Sequence, residues 1–153
     1  MTIRKTLACV VLAGITIVAC QKSNNSQNDV TILTSGKWQI SDASVTIPGS
    51  GVSLDVYDSI PDCVKDNFYI FASEGTATID EGATKCDSSD PQTTTGNWKL
   101  LENNTKLQTI DPLTGASADL TLLEINSNDM KVQDTATYQG YSVNATVTFK
   151  HIN

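Results

Sequence analysis

Histidine is almost missing from this chain: His151, two positions short of the last residue, is the single copy in 153 residues. A lone imidazole so close to the end, expected to be exposed and inert, is a poor start for general-base catalysis. The Gly-x-Ser-x-Gly turn that presents a nucleophilic serine does not occur. Carboxylates could pair as acid and base at Asp80 and Glu81 or at Asp87 and Asp90, but adjacent strand residues face opposite sides, so the first pair does not converge on a continuing strand. The acidic stretch 80–90 also lacks the spaced Asp-x-Asp-x-Asp-Gly ligands of a calcium loop and reads as a solvated hairpin. No segment of the mature chain keeps a 3.6-residue period long enough for a domain helix. The expectation is a non-enzymatic protein with no catalytic, cofactor-binding or metal-binding residues.

The one long apolar run is Leu7–Val18, about a dozen residues and too short to span a bilayer stably. Arg4 and Lys5 precede it and Ile17-Val18-Ala19-Cys20 follows, so residues 1–19 read as a secretory signal. The last four residues resemble the lipobox of bacterial lipoproteins, in which Cys20 would take a diacylglyceryl thioether and become the first mature residue. A thiolate is the nucleophile such alkylation needs. Several acyl chains, at about 0.8 kcal/mol per buried methylene, exceed the marginal hold of one chain. Gln21 and Lys22 lack the aspartate that retains some lipoproteins at the inner membrane, which directs the expectation to the outer membrane, on either face.

Without the signal the chain carries eight basic and seventeen acidic groups, a formal charge of −9. That sign opposes binding to phosphate backbones and to anionic headgroups, so nucleic acid is excluded as a partner. Residues 20–33, rich in Ser, Asn and Gln, read as a flexible tether too polar to offset its ordering entropy. The remaining 34–153 suit one domain with a modest core, expected to be monomeric. With Cys9 removed and Cys20 acylated, Cys63 and Cys86 are left in an oxidising space, and a disulfide between them is the expected state. It would close about 24 residues, for which chain-entropy reasoning gives about 3.5 kcal/mol. Metal binding is the alternative, but two thiols and one histidine do not make a zinc set.

Period-2 alternation dominates the rest. Val143, Ala145, Val147 and Phe149 fall on one face of a strand, with Asn144, Thr146, Thr148 and Lys150 on the other. Similar patterns occupy 37–47, 53–57, 67–72, 76–80, 97–102, 106–111, 119–125 and 130–138, about nine strands in all, separated by turn signals such as Pro48-Gly49-Ser50-Gly51 and Gln139-Gly140. Short strands at this spacing predict an antiparallel sandwich or barrel. Gly36-Lys37-Trp38 and Gly96-Asn97-Trp98 form an internal echo, Gly-x-Trp at a strand start. Glycine permits close backbone approach, and an indole can cover the end of a curling sheet; the plain alternative is two ordinary core tryptophans.

The segments Cys63–Phe71, Asp80–Cys86, Asp90-Pro91 and Gly96–Leu100 resemble the lipocalin-like domain of small Gram-negative surface lipoproteins. The similarity runs from about Leu33 to the C-terminus, and its last third matches in pattern only. It implies an all-β, up-and-down antiparallel barrel of about eight strands, bridged between Cys63 and Cys86, with Gly36, Trp38, Gly96 and Trp98 as structural landmarks. It implies no enzymatic activity and supplies no ligand. A small barrel can be filled by its own side chains, so a pocket does not follow from the fold. The leading expectation is a lipid-anchored envelope protein binding a small apolar molecule or an envelope component. The alternative is an interaction module, an inhibitor or subunit with a filled barrel, using its acidic loops to meet a basic partner. Asp58-Ser59-Ile60 and Asp134-Thr135-Ala136 also resemble acceptor triplets for O-glycosylation at Ser59 and Thr135.

Overall fold

The structure is a computed structural model that describes residues 26–153 except 112, 113 and 139. Cys20, the signal 1–19 and tether positions 20–25 lie outside the described residues. Alternating sequence becomes nine strands: β1 (Lys37–Thr46), β2 (Ser53–Asp55), β3 (Phe68–Phe71), β4 (Thr76–Asp80), β5 (Thr93–Leu101), β6 (Lys106–Ile110), β7 (Ser117–Ile125), β8 (Asp129–Tyr138) and β9 (Tyr141–Ile152). Each pairs antiparallel with its successor from β3 to β9, and β1 pairs with both β3 and β9. The result is a closed barrel of eight strands. β2 is the ninth, a short addition hydrogen-bonded to β1 alone through Val45↔Leu54 and its neighbours.

Register explains which residues meet inside. Trp38 stands opposite Tyr69 and His151, Ile40 opposite Phe149, Leu107 opposite Leu100 and Leu120, and Val132 opposite Val147 and Leu122. Trp38, Ile40, Phe71, Trp98, Leu107, Met130, Val132 and Phe149 are buried together as the core. The expected inward face of β9 holds, with Val143 and Phe149 buried and Ala145 and Val147 half-buried. Register shifts at Ile40/Asp42 in β1 and Leu122/Glu124 in β7 supply bends of the kind that let a sheet curl into a cylinder.

The tether expectation needs correction over its second half. Ser26–Leu33 form a helix, α1, that lies on one end of the barrel. Leu33 is wholly buried against Trp38, whose indole N–H donates to the Leu33 carbonyl at 3.0 Å. The Asn104 amide reaches the Asp29 carboxylate at 3.2 Å, and Val30 and Ile32 pack on the core. Eight residues are too few to be helical on their own in water, so these contacts hold the helix. The folded unit therefore begins before residue 34.

Between β2 and β3 run a 3-10 turn, Tyr57–Ser59, and a one-turn helix, α2 (Asp62–Lys65). α2 brings Cys63 to Cys86, and the two are joined in a disulfide with Cα atoms 5.2 Å apart.

Candidate functional site

The antiparallel order gives the barrel two unlike ends. At one, α1 lies against β7, the start of β1 and the β5–β6 turn, where Asn104 reaches Asp29. Here Gly36 matters for what it lacks: a Cβ would sit 2.6 Å from His151 Nε2 and 2.8 Å from the Ile152 carbonyl. That close approach lets the imidazole lie against the Trp38 indole, ring centres 4.9 Å apart. His151 is therefore half-buried and not the exposed terminal side chain expected. Its Nε2 lies 3.1 Å from Ser35 Oγ, but the Ser35 hydroxyl gives its proton to the Ile32 carbonyl at 2.8 Å, so His151 is the donor to Ser35. A base poised to activate that serine would have the opposite polarity.

Trp98 has a different post. Its indole donates to the Ala72 carbonyl at 2.9 Å and its ring meets Phe71 edge-on, with centres 5.7 Å apart. Gly96 lies inside β5 opposite Ala77, not at a strand start, because the threonines 93–95 extend the strand backwards. Of the two Gly-x-Trp elements, only Gly36 stands at the head of its strand.

The interior is not filled. A cavity of about 400 Å³ lies between β3, β4, β5 and β6 and reaches across to Leu120, Val132 and Phe149. Its wall is largely apolar, formed by Phe71, Ala77, Ile79, Leu107, Leu120, Val132 and Phe149. Tyr69, Thr94, Thr109 and Asp111 bring polar atoms to it, and no Lys, Arg or His lines it. It reaches the surface at the end opposite α1, where Ile79 is 37% exposed and Thr94, Thr95 and Asp111 are exposed. The Tyr69 ring stands edge-on to Phe149, centres 5.1 Å apart. Burial, and secondarily the negative charge of Glu81, push the Tyr69 hydroxyl above its ordinary pKa. The size and apolar lining fall in the range of small-molecule sites, roughly 300–1,000 Å³.

Lipocalin-like domain is the description of the family model that matches residues 34–132. The chain belongs to that family. This lipocalin-like match ends within β8, where the sequence likeness likewise thins to pattern. Solved structures with a similar trace include a complex of bovine odorant-binding protein with a selenium-containing odorant, at 11% identity and TM-score 0.44, covering 81% of this chain and 73% of that one. Lobster apocrustacyanin A1 aligns at 17% identity and TM-score 0.38, covering 84% of this chain and 69% of the other. No curated protein matches the chain.

The remaining candidates are dispersed. Asp80 closes β4 with its carboxylate accepting from the Gly82 amide at 3.0 Å and from Gln92 Nε2 at 2.8 Å, while Glu81 lies beyond the strand. Those bonds, Gln92 first, hold the Asp80 carboxyl below its ordinary range. Asp87 accepts from the Ser89 amide and hydroxyl, which lower it likewise. Asp90 offers its backbone carbonyl to Lys85 Nζ at 2.7 Å. Among the described residues no three metal-ligating side chains gather. Ser59 and Thr135 are both exposed, the latter bonded to Asn144 at 3.2 Å. The cavity-lining residues were missed as a set by sequence reasoning. Inward alternation marks most of them singly, but nothing in the string says which inward side chains leave space between them.

Proposed function

We propose that this lipocalin-like chain is a lipid-anchored, non-enzymatic protein of the cell envelope that takes a small apolar molecule into its barrel. The observation that carries the reading is the apolar cavity, sealed by α1 at one end and reaching solvent at the other. Anchoring rests on the lipobox-like Ile17–Cys20. Six residues from Cys20 to Ser26 extend at most about 20 Å, so an acylated Cys20 keeps the sealed end near the membrane and turns the mouth away from it. The ligand is then taken up from the aqueous side.

Titration with a fluorescent naphthylamine probe tests the carrier reading: saturable binding by the wild type, abolished in Ala77→Leu with the fold intact by circular dichroism, supports it. Probe binding unaffected by that plug would refute it. Separately, Cys20→Ala should lose acyl label and leave the membrane fraction, and unchanged retention would defeat the anchor. The interaction-module alternative is favoured by one feature, the apolar side chains of the β1–β2 hairpin, where Ile47, Val52 and Leu54 are 42%, 50% and 56% exposed. A stoichiometric protein co-purifying from the envelope and lost in Leu54→Lys would move the assignment to it.

A further inference from the structure

We propose that the cavity selects an uncharged apolar molecule carrying one hydrogen-bond acceptor, a ketone, ester, amide or alcohol oxygen received by the Tyr69 hydroxyl, and rejects carboxylate-headed chains. The inference rests on the cavity being a binding site and names the chemistry of its occupant.

Tyr69 faces inward, because its register partners Trp38 and Ile79 do so and its ring is fixed against Phe149. Among the described residues its hydroxyl has no hydrogen-bond partner. Threonine hydroxyls at Thr94 and Thr109 can swing toward backbone carbonyls of their own strands, but a phenol on a packed ring has no such freedom. The hydroxyl is reachable by water from the cavity it lines, so a ligand that displaces that water without replacing its hydrogen bond loses affinity, and a ligand oxygen that meets the donor keeps it. Because burial holds the phenol protonated well past neutral pH, it presents a donor.

Charge decides the rest. A carboxylate entering this cavity would be stripped of water without meeting a single cationic side chain on the wall. It would also approach the acidic groups that face this region, Glu81, whose charge reaches the Tyr69 hydroxyl, and Asp111 at the edge. A neutral acceptor meets the same donor with neither penalty.

Four probes of one shape separate the cases: ethylnaphthalene, the corresponding acetylnaphthalene, naphthoate and naphthylmethylammonium, titrated calorimetrically into the protein at neutral pH. The expected result is that Tyr69→Phe weakens acetylnaphthalene about fivefold and leaves ethylnaphthalene within about twofold, the weight of one net hydrogen bond. Naphthoate should bind roughly tenfold or more weaker than the ketone, and Glu81→Gln should recover part of that gap. Unchanged ethylnaphthalene binding shows that the variant keeps its cavity. Equal effects of Tyr69→Phe on ketone and hydrocarbon, naphthoate as tight as the ketone, or naphthylmethylammonium tighter than both would each overturn the inference while leaving the carrier reading in place. Failure of all the probes to bind wild type would overturn the carrier reading itself.

Discussion

At the scale of single residues, the turns next to the disulfide carry more constraint than their polarity suggests. Gly82 adopts φ +66°, and a Cβ there would run into the Asp66 carbonyl. Asp66 in turn binds the amides of Ala83 and Thr84 at 3.1 and 2.9 Å, so the backbone cannot retreat without losing them. Gly82→Ala should cost at least about 1–3 kcal/mol, read from urea unfolding. Asp80 gives a pH signature. Its folded pKa lies below the ordinary value of 3.8, so its contribution is present above that value and is lost as pH falls through the lowered one. Removing the Gln92 donor with Gln92→Ala should move the Asp80 titration, followed by carboxyl NMR shifts, back up toward 3.8 and flatten the acid limb of the melting curve. Neither constraint could be read from the string: that of Gly82 depends on a loop folding back onto α2's exit, and that of Asp80 on Gln92 reaching it across the β4–β5 connection. The conformational need of Gly82 was hidden among turn residues that look alike.

At the scale of elements, strands were legible and helices were not. Alternation in 143–150 or 106–111 reports a half-buried face directly, and those segments became β9 and β6 with small shifts at their ends. β5 began four residues before its predicted start, since Thr93-Thr94-Thr95 offers no apolar alternation although its β-branched residues suit a strand. α1 was read as a leash because its composition is polar and its anchoring contacts are tertiary: a buried Leu33, a carbonyl for Trp38 and a carboxylate for Asn104. Truncating that plug has a definite size. Leu33→Ala should destabilise the barrel by about 2–5 kcal/mol in chemical denaturation, because a fully buried leucine at a helix-to-barrel contact leaves a void that rigid strands cannot close.

At the scale of the molecule, the disulfide ties the β2–β3 connection to the β4–β5 connection, both outside the hydrogen-bonded ring. Its loss in Cys63→Ser/Cys86→Ser should lower stability by about 2–5 kcal/mol, measured against the oxidised wild type under identical denaturant, while far-ultraviolet circular dichroism keeps its strand signal. The pairing was legible from the count of cysteines left once Cys9 and Cys20 are set aside; the cavity was not, since it is what remains when large side chains such as Trp98 and Phe149 turn to ring partners on β3. Closure of the ring has its own consequence. The second edge of β1 is completed only by β9, through ladder pairs such as Trp38↔His151 that lie at opposite ends of the folded sequence. While a chain is synthesised, β1 must wait, one edge unsatisfied, until the last strand has emerged. Contacts this distant slow the search for the native state, so the cylinder shuts only once both ends of the folded unit are available together.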